Sequence, residues 1–352
     1  MDFNFSEDQL LFQQTVRAFL DGECTPERIR AQWDSESGHD TKLWRQLAEL
    51  GIPGLLVSEA QDGMGLDEVD AVLLFEEAGR AALAAPIVTT AAVAAPLLAA
   101  LEDRVLAEPW LERIAKGDAI VAVGHAASPF VTDAHVADLL LLPHESEIHA
   151  LDPANVKVVH EHGNDPSRRL YSVEWEPTDS TRVASGATAR ALQTDALSRG
   201  ALACAAQQLG VTDRLIDLAA DYARQREQFG KPIGSFQAVK HLLSNCKVML
   251  EYARPVVHRA AWSLARGAAE RGLHASMAKV AASDAAVHSA RTALQVHGAI
   301  GYTWEQDLHI WMRRAWSLEQ AFGKSAFHRR RVEAAILNDD ARLGPGETFR
   351  GE

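Results

Sequence analysis

Only three cysteines, Cys24, Cys204 and Cys246, stand in 352 residues, far apart from one another. So sparse a set forms no disulfide framework and fits free thiols in a reducing compartment. A cationic surplus is also lacking: 35 Lys and Arg face 48 Asp and Glu, a net charge of −13. Nucleic acid is therefore not an expected partner, because phosphate binding needs a basic footprint, although a local Arg cluster can still hold an anionic ligand. No uninterrupted apolar run approaches the roughly 18 residues of a membrane span. The nearest, Ala81 to Leu101, is alanine-rich and broken by Pro86 and Pro96. The start, Met1-Asp2-Phe3-Asn4-Phe5-Ser6-Glu7-Asp8, is acidic and lacks the basic segment that opens a signal peptide. Among fourteen histidines no pair has metal-ligand spacing with carboxylate support, so no metal site is expected. What is there, 47% hydrophobic and 24% charged residues, fits a cytoplasmic globular protein of two or three packed domains.

Three textures follow one another along the chain, and they predict a mainly α protein with a small β domain. Residues 1–117 read as helical. Ser6-Glu7-Asp8-Gln9 has the form of a capping box, Lys42 to Leu50 and Asp67 to Ala82 are amphipathic, and Ile87 to Lys116 continues in low-polarity helices. Residues 118–190 hold short, partly β-branched runs: Ala119 to Val123, Ala137 to Leu142, Val156 to Val159 and Leu170 to Val173. Pro, Asp and Gly separate them, which predicts strands and turns in a small sheet domain. Residues 191–352 predict a four-helix bundle. Its first helix runs from Thr194, with Asp213, Asp217 and Asp221 opposite an apolar stripe. Ser235 caps the second, which Pro255 kinks; the third spans Leu273 to His297, and the fourth runs from Thr303 or Trp304 toward residue 338.

Two turns in the bundle can touch a ligand. Arg226-Glu227-Gln228-Phe229-Gly230-Lys231-Pro232-Ile233-Gly234-Ser235-Phe236-Gln237 joins a helix end to a new helix start. An Arg fork and exposed helix-terminal amides suit a pyrophosphate; a plain helix-loop-helix corner with a surface Arg fits equally. Gln295-Val296-His297-Gly298-Ala299-Ile300-Gly301-Tyr302 lets backbone approach a ligand closely, or simply ends a helix. Trp304, Trp311 and Trp316 read as core residues, His297 as a helix-end packing residue, and His328-Arg329-Arg330-Arg331 as a solvated helix face.

In this order and separation the two turns resemble the acyl-CoA dehydrogenase family, where an Arg-x-x-Phe-Gly turn precedes a Gln-x-x-Gly-Gly-x-Gly-Tyr turn. Trp44 to Leu55, Gly63-Met64-Gly65-Leu66 and Phe75 to Arg80 look like that family's N-terminal domain. The resemblance implies that Arg226, Gln228 and Phe229, with Phe236, Gln237, Gln295, Gly298 and Ala299, reach the flavin adenine dinucleotide (FAD) of a neighbouring subunit. Ala299 stands where the family's second glycine is usual.

The family's reaction needs a carboxylate beside the acyl α-carbon. Phe322 and Ser198 occupy the two positions where members carry that Glu, so no catalytic residue is expected in this chain. Glu319, three residues from Phe322, is displaced by about 4.5 Å along a helix. The family's flavin-cradling segments in the sheet domain also find no match: Gly124 to Pro129 and Thr132 to Asp138 stand there instead. That combination resembles the shortened, non-catalytic subunit of bacterial α2β2 acyl-CoA dehydrogenases that act on steroid side-chain CoA thioesters. Trp304-Glu305-Gln306-Asp307-Leu308-His309 looks like that subgroup, with Gln306 where His is usual. The resemblance implies a catalytic partner subunit, an acyl-CoA substrate and an electron-transfer flavoprotein as acceptor. Two alternatives stand beside it: a self-sufficient homo-oligomeric dehydrogenase using a base such as Glu319, and a cofactor-free assembly protein.

Overall fold

The computed structural model describes residues 4–338; 1–3 and 339–352, which include the first of the acidic start and the end of the C-terminal region, lie outside the described residues. Six helices lead: α1 (Glu7–Glu23), α2 (Pro26–Asp34), α3 (Thr41–Glu49), α4 (Glu68–Arg80), α5 (Ala95–Ala99) and α6 (Arg104–Ala115), with a π-helical stretch Val88–Ala94 before α5. Ser6 and Gln9 make the reciprocal side-chain-to-backbone bonds of a capping box at α1. Helix α2 was not expected from periodicity, since it is short, highly polar and buries only Ile29.

Seven strands follow: β1 (Val121–Val123), β2 (Val131–Thr132), β3 (Leu139–His144), β4 (Glu147–Leu151), β5 (Lys157–Glu161), β6 (Leu170–Glu174) and β7 (Arg182–Ser185). They form two small sheets, ordered β1-β3-β4-β7 and β2-β6-β5. Only the β1–β3 pair among these is parallel. The apolar runs of the sequence became β1, β3, β5 and β6. Strands β2, β4 and β7 were missed because they are two to five residues long and mix polar with apolar side chains.

The bundle comprises α7 (Gly186–Gln225), α8 (Gln237–Ala265), α9 (Arg271–His297), α10 (Leu308–Gln320) and α11 (Ser325–Ile336), with a two-stranded hairpin, β8 (Glu227–Gln228) and β9 (Lys231–Pro232), between α7 and α8. Helix α7 starts eight residues before the expected Thr194. It packs against α4, α8 and α9, so residues 200–212 are buried all round rather than along one stripe. Asp213 and Asp217 both accept from Arg80 of α4, each at 2.9 Å. A 3-10 turn, Ile233–Ser235, precedes α8, so its cap is Phe236 and not Ser235. Helix α8 continues through Pro255. The expected fourth helix is two. Phe322 (φ 51°) and Gly323 (φ 93°) take left-handed conformations that end α10 before α11 begins. One apolar core runs from α1 through β1 into the bundle, and a smaller one lies within the sheets.

Burial also sets the response to acid. Desolvation pushes His125, His258 and His328 down to about 4 from the ordinary 6.5, and it lowers His39, His274 and His297 in the same sense. A histidine that resists protonation only when folded contributes stability above its unfolded pKa, and that stability is lost as pH falls from 6.5 toward 4. Asp133, pushed up to about 7 by burial, acts oppositely, since folding favours its protonated form. At about 1.4 kcal/mol per unit, the histidines outweigh the aspartate. We expect the urea midpoint to fall steeply between pH 6.5 and 4; a flat profile would contradict the buried neutral imidazoles.

Candidate flavin-facing turns and a filled pocket

Both ligand-facing turns lie at one end of the bundle because α7 and α9 end there together. The backbone N–H of Arg226 closes α7 on the Tyr222 carbonyl at 2.8 Å. The chain then reverses between β8 and β9 through Phe229 (φ 55°) and Gly230 (φ 76°), a pair of left-handed residues that gives the tight hairpin twist. Holding a phenylalanine there is unfavourable, and its ring is 92% exposed. Phe236 meets that ring edge-on at 6.1 Å and carries Lys231 Nζ over its own face at 4.5 Å. Arg226, Gln228 and Gln237 are exposed. Helix α9 ends where Gly298 (φ 66°) donates to the Leu294 carbonyl, and Gln295, Gly298 and Ala299 are exposed beside it. The structure thus places all eight sequence-predicted cofactor residues around these two turns. A Cβ at Gly230 or Gly298 would meet nothing within 4 Å, and no carboxylate pairs with Arg226 among the described residues. Open backbone, an unpaired guanidinium and exposed rings fit an anionic aromatic dinucleotide arriving from outside this chain.

The region around Phe322 is the reverse: full. Lys279, fully buried, donates to the carbonyls of Leu318 and Glu319 at 2.9 Å each. Desolvation lowers its amine to about 8. His328 Nε2 donates to the Phe322 carbonyl at 2.9 Å. The turn is therefore rigid, and it presses the Phe322 ring flat onto His125 (centroids 4.4 Å apart, planes 23°). On α7 the residue beneath that ring is Gly200, not Ser198: a Cβ at Gly200 would come within 2.1 Å of Phe322. Ser198 is buried elsewhere, its Oγ donating to the Thr194 carbonyl at 2.9 Å. Glu319 uses Oε1 to accept the Ser325 N–H at 3.0 Å, so it caps α11. We expect Gly200→Ala to overpack this contact and cost about 1–3 kcal/mol, read as a lower melting temperature. An unchanged one would mean that Phe322 is loosely held.

One element that sequence reasoning missed completes the filling. Between β5 and β6, residues 162–169 cross from the sheet to the bundle. Asp165 pairs with Arg314 at 2.6 Å, both side chains at most 2% exposed. Arg168 donates to the carbonyl and Oγ of Ser317 at 3.0 and 2.9 Å, and Arg313 to the Asn164 carbonyl at 3.0 Å. Toward the N-terminal helices, Trp33 donates to Ser167 Oγ, and Arg169 to the Ser35 and Glu36 carbonyls, each at 2.5 Å. The space left among Thr132, Asp133, Arg168, Gln207, Arg314 and Phe322 has an accessible volume of about 30 Å³. That is room for water, not for a fused tricyclic ring. The space beside Phe322 therefore does not fit an isoalloxazine, while a separate cavity of about 140 Å³ lies between the sheet and α7, lined by Gly124, His125, Ala126 and Thr194. Asn-Asp-Pro-Ser reads as an ordinary linker; the Arg168-Arg169 and Arg313-Arg314 pairs were the available signal.

Other expectations need correction. Trp311 is buried and donates to the Arg80 carbonyl, but Trp304 is 65% exposed, with Arg313 over its ring. His328 is fully buried, so 328–331 is not a wholly solvated face. No group of three or more metal-binding side chains occurs among the described residues. No helix among them is long and apolar enough to cross a membrane. All three cysteines are buried and free.

Comparison with known proteins gives this geometry a family. The acyl-CoA dehydrogenase N-terminal domain matches residues 6–118, and the acyl-CoA dehydrogenase C-terminal domain matches 190–337. The chain belongs to the acyl-CoA dehydrogenase family. Acyl-CoA dehydrogenase IpdE2 of Mycolicibacterium smegmatis is 33% identical, over 94% of this chain and 100% of that one. IpdE2 of Mycobacterium tuberculosis is 31% identical, over 94% and 98%. The crystal structure of the ChsE4-ChsE5 complex from Mycobacterium tuberculosis matches with a TM-score of 0.85 at 26% identity, covering 96% of this chain and 99% of that one.

Proposed function

We propose that this chain is the non-catalytic subunit of a cytoplasmic α2β2 acyl-CoA dehydrogenase, completing the FAD site of a catalytic partner. One contrast supports the reading: the turns that the family uses toward a neighbour's flavin are open and unpaired, while the space beside Phe322 between this chain's sheet and bundle is filled by Phe322, Arg168 and the Arg314–Asp165 pair. The partner supplies the carboxylate that removes the acyl α-proton. FAD, when bound, accepts the β-hydrogen as hydride, leaving a trans α,β double bond. This chain contributes Arg226 toward the pyrophosphate, Gln228, Gln237 and Gln295 as hydrogen-bonding side chains, and Phe229 and Phe236 as apolar walls. Gly298 and Ala299 leave room for close approach. Similarity to a chain of the ChsE4-ChsE5 complex supports assembly with a second kind of subunit. The resemblance of the Trp304 to His309 segment to the steroid subgroup supports a steroid side-chain CoA thioester as substrate class, and the family resemblance points to an electron-transfer flavoprotein as acceptor.

Expression of the chain alone and together with a catalytic dehydrogenase subunit tests this. Alone it should be colourless; together the complex should be yellow and active. A yellow, active chain on its own would establish the homo-oligomeric alternative. A complex that stays colourless would favour the cofactor-free one.

A further inference from the structure

The two flavin-facing turns follow the ends of α7 and α9, and almost everything beyond those ends is exposed: residues 226–231 on one side, 298–300 on the other. A shared ligand needs both turns held at a fixed separation, because misplacement of about 1 Å is costly where several groups act on one molecule. Beside the general packing of α7 on α9, a ring-on-ring contact joins the two helix ends directly. The Tyr222 ring, four residues before Arg226, lies flat on the His297 imidazole, with centroids 4.3 Å apart and planes 19° from parallel. Each ring also belongs to its turn. The Tyr222 carbonyl takes the Arg226 N–H. His297 immediately precedes Gly298, and a Cβ at Gly301 would stand 3.0 Å from the His297 Cβ, so the second turn folds back over this residue. His297 is 6% exposed, and its Nδ1 donates to the Ala293 carbonyl at 2.8 Å, which fixes the ring's direction from within α9.

We infer that His297 is a positioning residue: stacked on Tyr222, it clamps the Arg226 and Gly298 turns into one flavin-receiving surface without itself touching the flavin. The consequence for FAD rests on the subunit reading above; the clamp itself does not. A flat aromatic ring in place of the imidazole keeps the stack, whereas a methyl group removes it. His297→Phe therefore separates clamping from any hydrogen-bonding role.

Hydrogen exchange on the full chain tests the clamp directly. In His297→Ala, amides of both 227–231 and 298–302 should exchange about ten-fold faster, the scale of losing one such stack, while His297→Phe stays near the parent. Tyr222→Leu should reproduce the alanine result from the other side, which guards against a folding defect in one variant. Exchange unchanged in both turns, or raised equally in His297→Phe, would overturn the clamp. In the heteromer, His297→Ala should weaken FAD about ten-fold by absorbance titration and His297→Phe restore it. If Arg226→Ala releases FAD but His297→Ala does not, the clamp has no bearing on the cofactor and the inference fails. If Arg226→Ala leaves FAD in place, the subunit reading fails, and exchange alone judges the clamp.

Discussion

Arg226→Ala in the heteromer should release most of its FAD, raising the dissociation constant by about ten- to a hundred-fold. A hydrogen bond to a charged group contributes about 1.5–3 kcal/mol, and every 1.4 kcal/mol is a factor of ten. The side chain is exposed and unpaired in the lone chain, so its removal breaks nothing within this subunit and the whole effect falls on what docks there. Arg330→Ala, an exposed guanidinium on α11 outside the two turns, is the matched control and should leave retention unchanged. Titration of the stripped complex at two salt concentrations checks the assignment. A phosphate contact weakens with salt in the parent, and that dependence shrinks in the variant. Equal retention in parent and Arg226→Ala would remove the basis for a cross-subunit contact.

The second large effect concerns the pocket that is filled. Arg314→Met leaves Asp165 as a buried carboxylate without its cation, and such a break costs about 3–5 kcal/mol. The Leu83 and Ala82 carbonyls lose their Arg314 donors as well, at 2.8 and 3.2 Å. Denaturant unfolding should register that loss, and Arg314→Met with Asp165→Asn should recover part of it, since a neutral amide tolerates burial better than an unpaired charge. The informative companion reading is colour. Loosening the 162–169 crossing should not let the lone chain bind FAD, because Phe322 on His125 still closes the space beside it. A destabilised chain that turned yellow would show that the crossing alone keeps flavin out.

Much of this was legible in the sequence where side-chain chemistry and local turn geometry coincide. Arg226-x-x-Phe229-Gly230 and Gln295-x-x-Gly298 identified two exposed turns, and the helical, strand and helical textures set the order of the elements. What escaped depends on long-range placement. Whether Ser198 or Gly200 faces Phe322 is a matter of helix rotation, and two positions on α7 are about 200° apart around the axis. The break between α10 and α11 rests on a phenylalanine at positive φ, which no propensity announces. The 162–169 crossing is held by its own Arg168 and by Arg313 and Arg314 of α10, and nothing in Asn164-Asp165-Pro166-Ser167 itself distinguishes it from solvent-exposed linker. That Phe322 and Ser198 stand at the positions matched to the family's base was readable in the sequence; the packing of Phe322 on His125 and of Arg314 on Asp165 was not, because it depends on long-range placement.

The most direct measurement is the FAD content of the purified heteromer, from flavin absorbance set against native mass. One FAD for each pair of unlike chains, two in an α2β2 assembly, is the result predicted when only the catalytic subunit's cradle is open and this chain completes it. Two FAD per pair would place a flavin in the space now holding Phe322, Arg168 and Arg314, and would contradict the account.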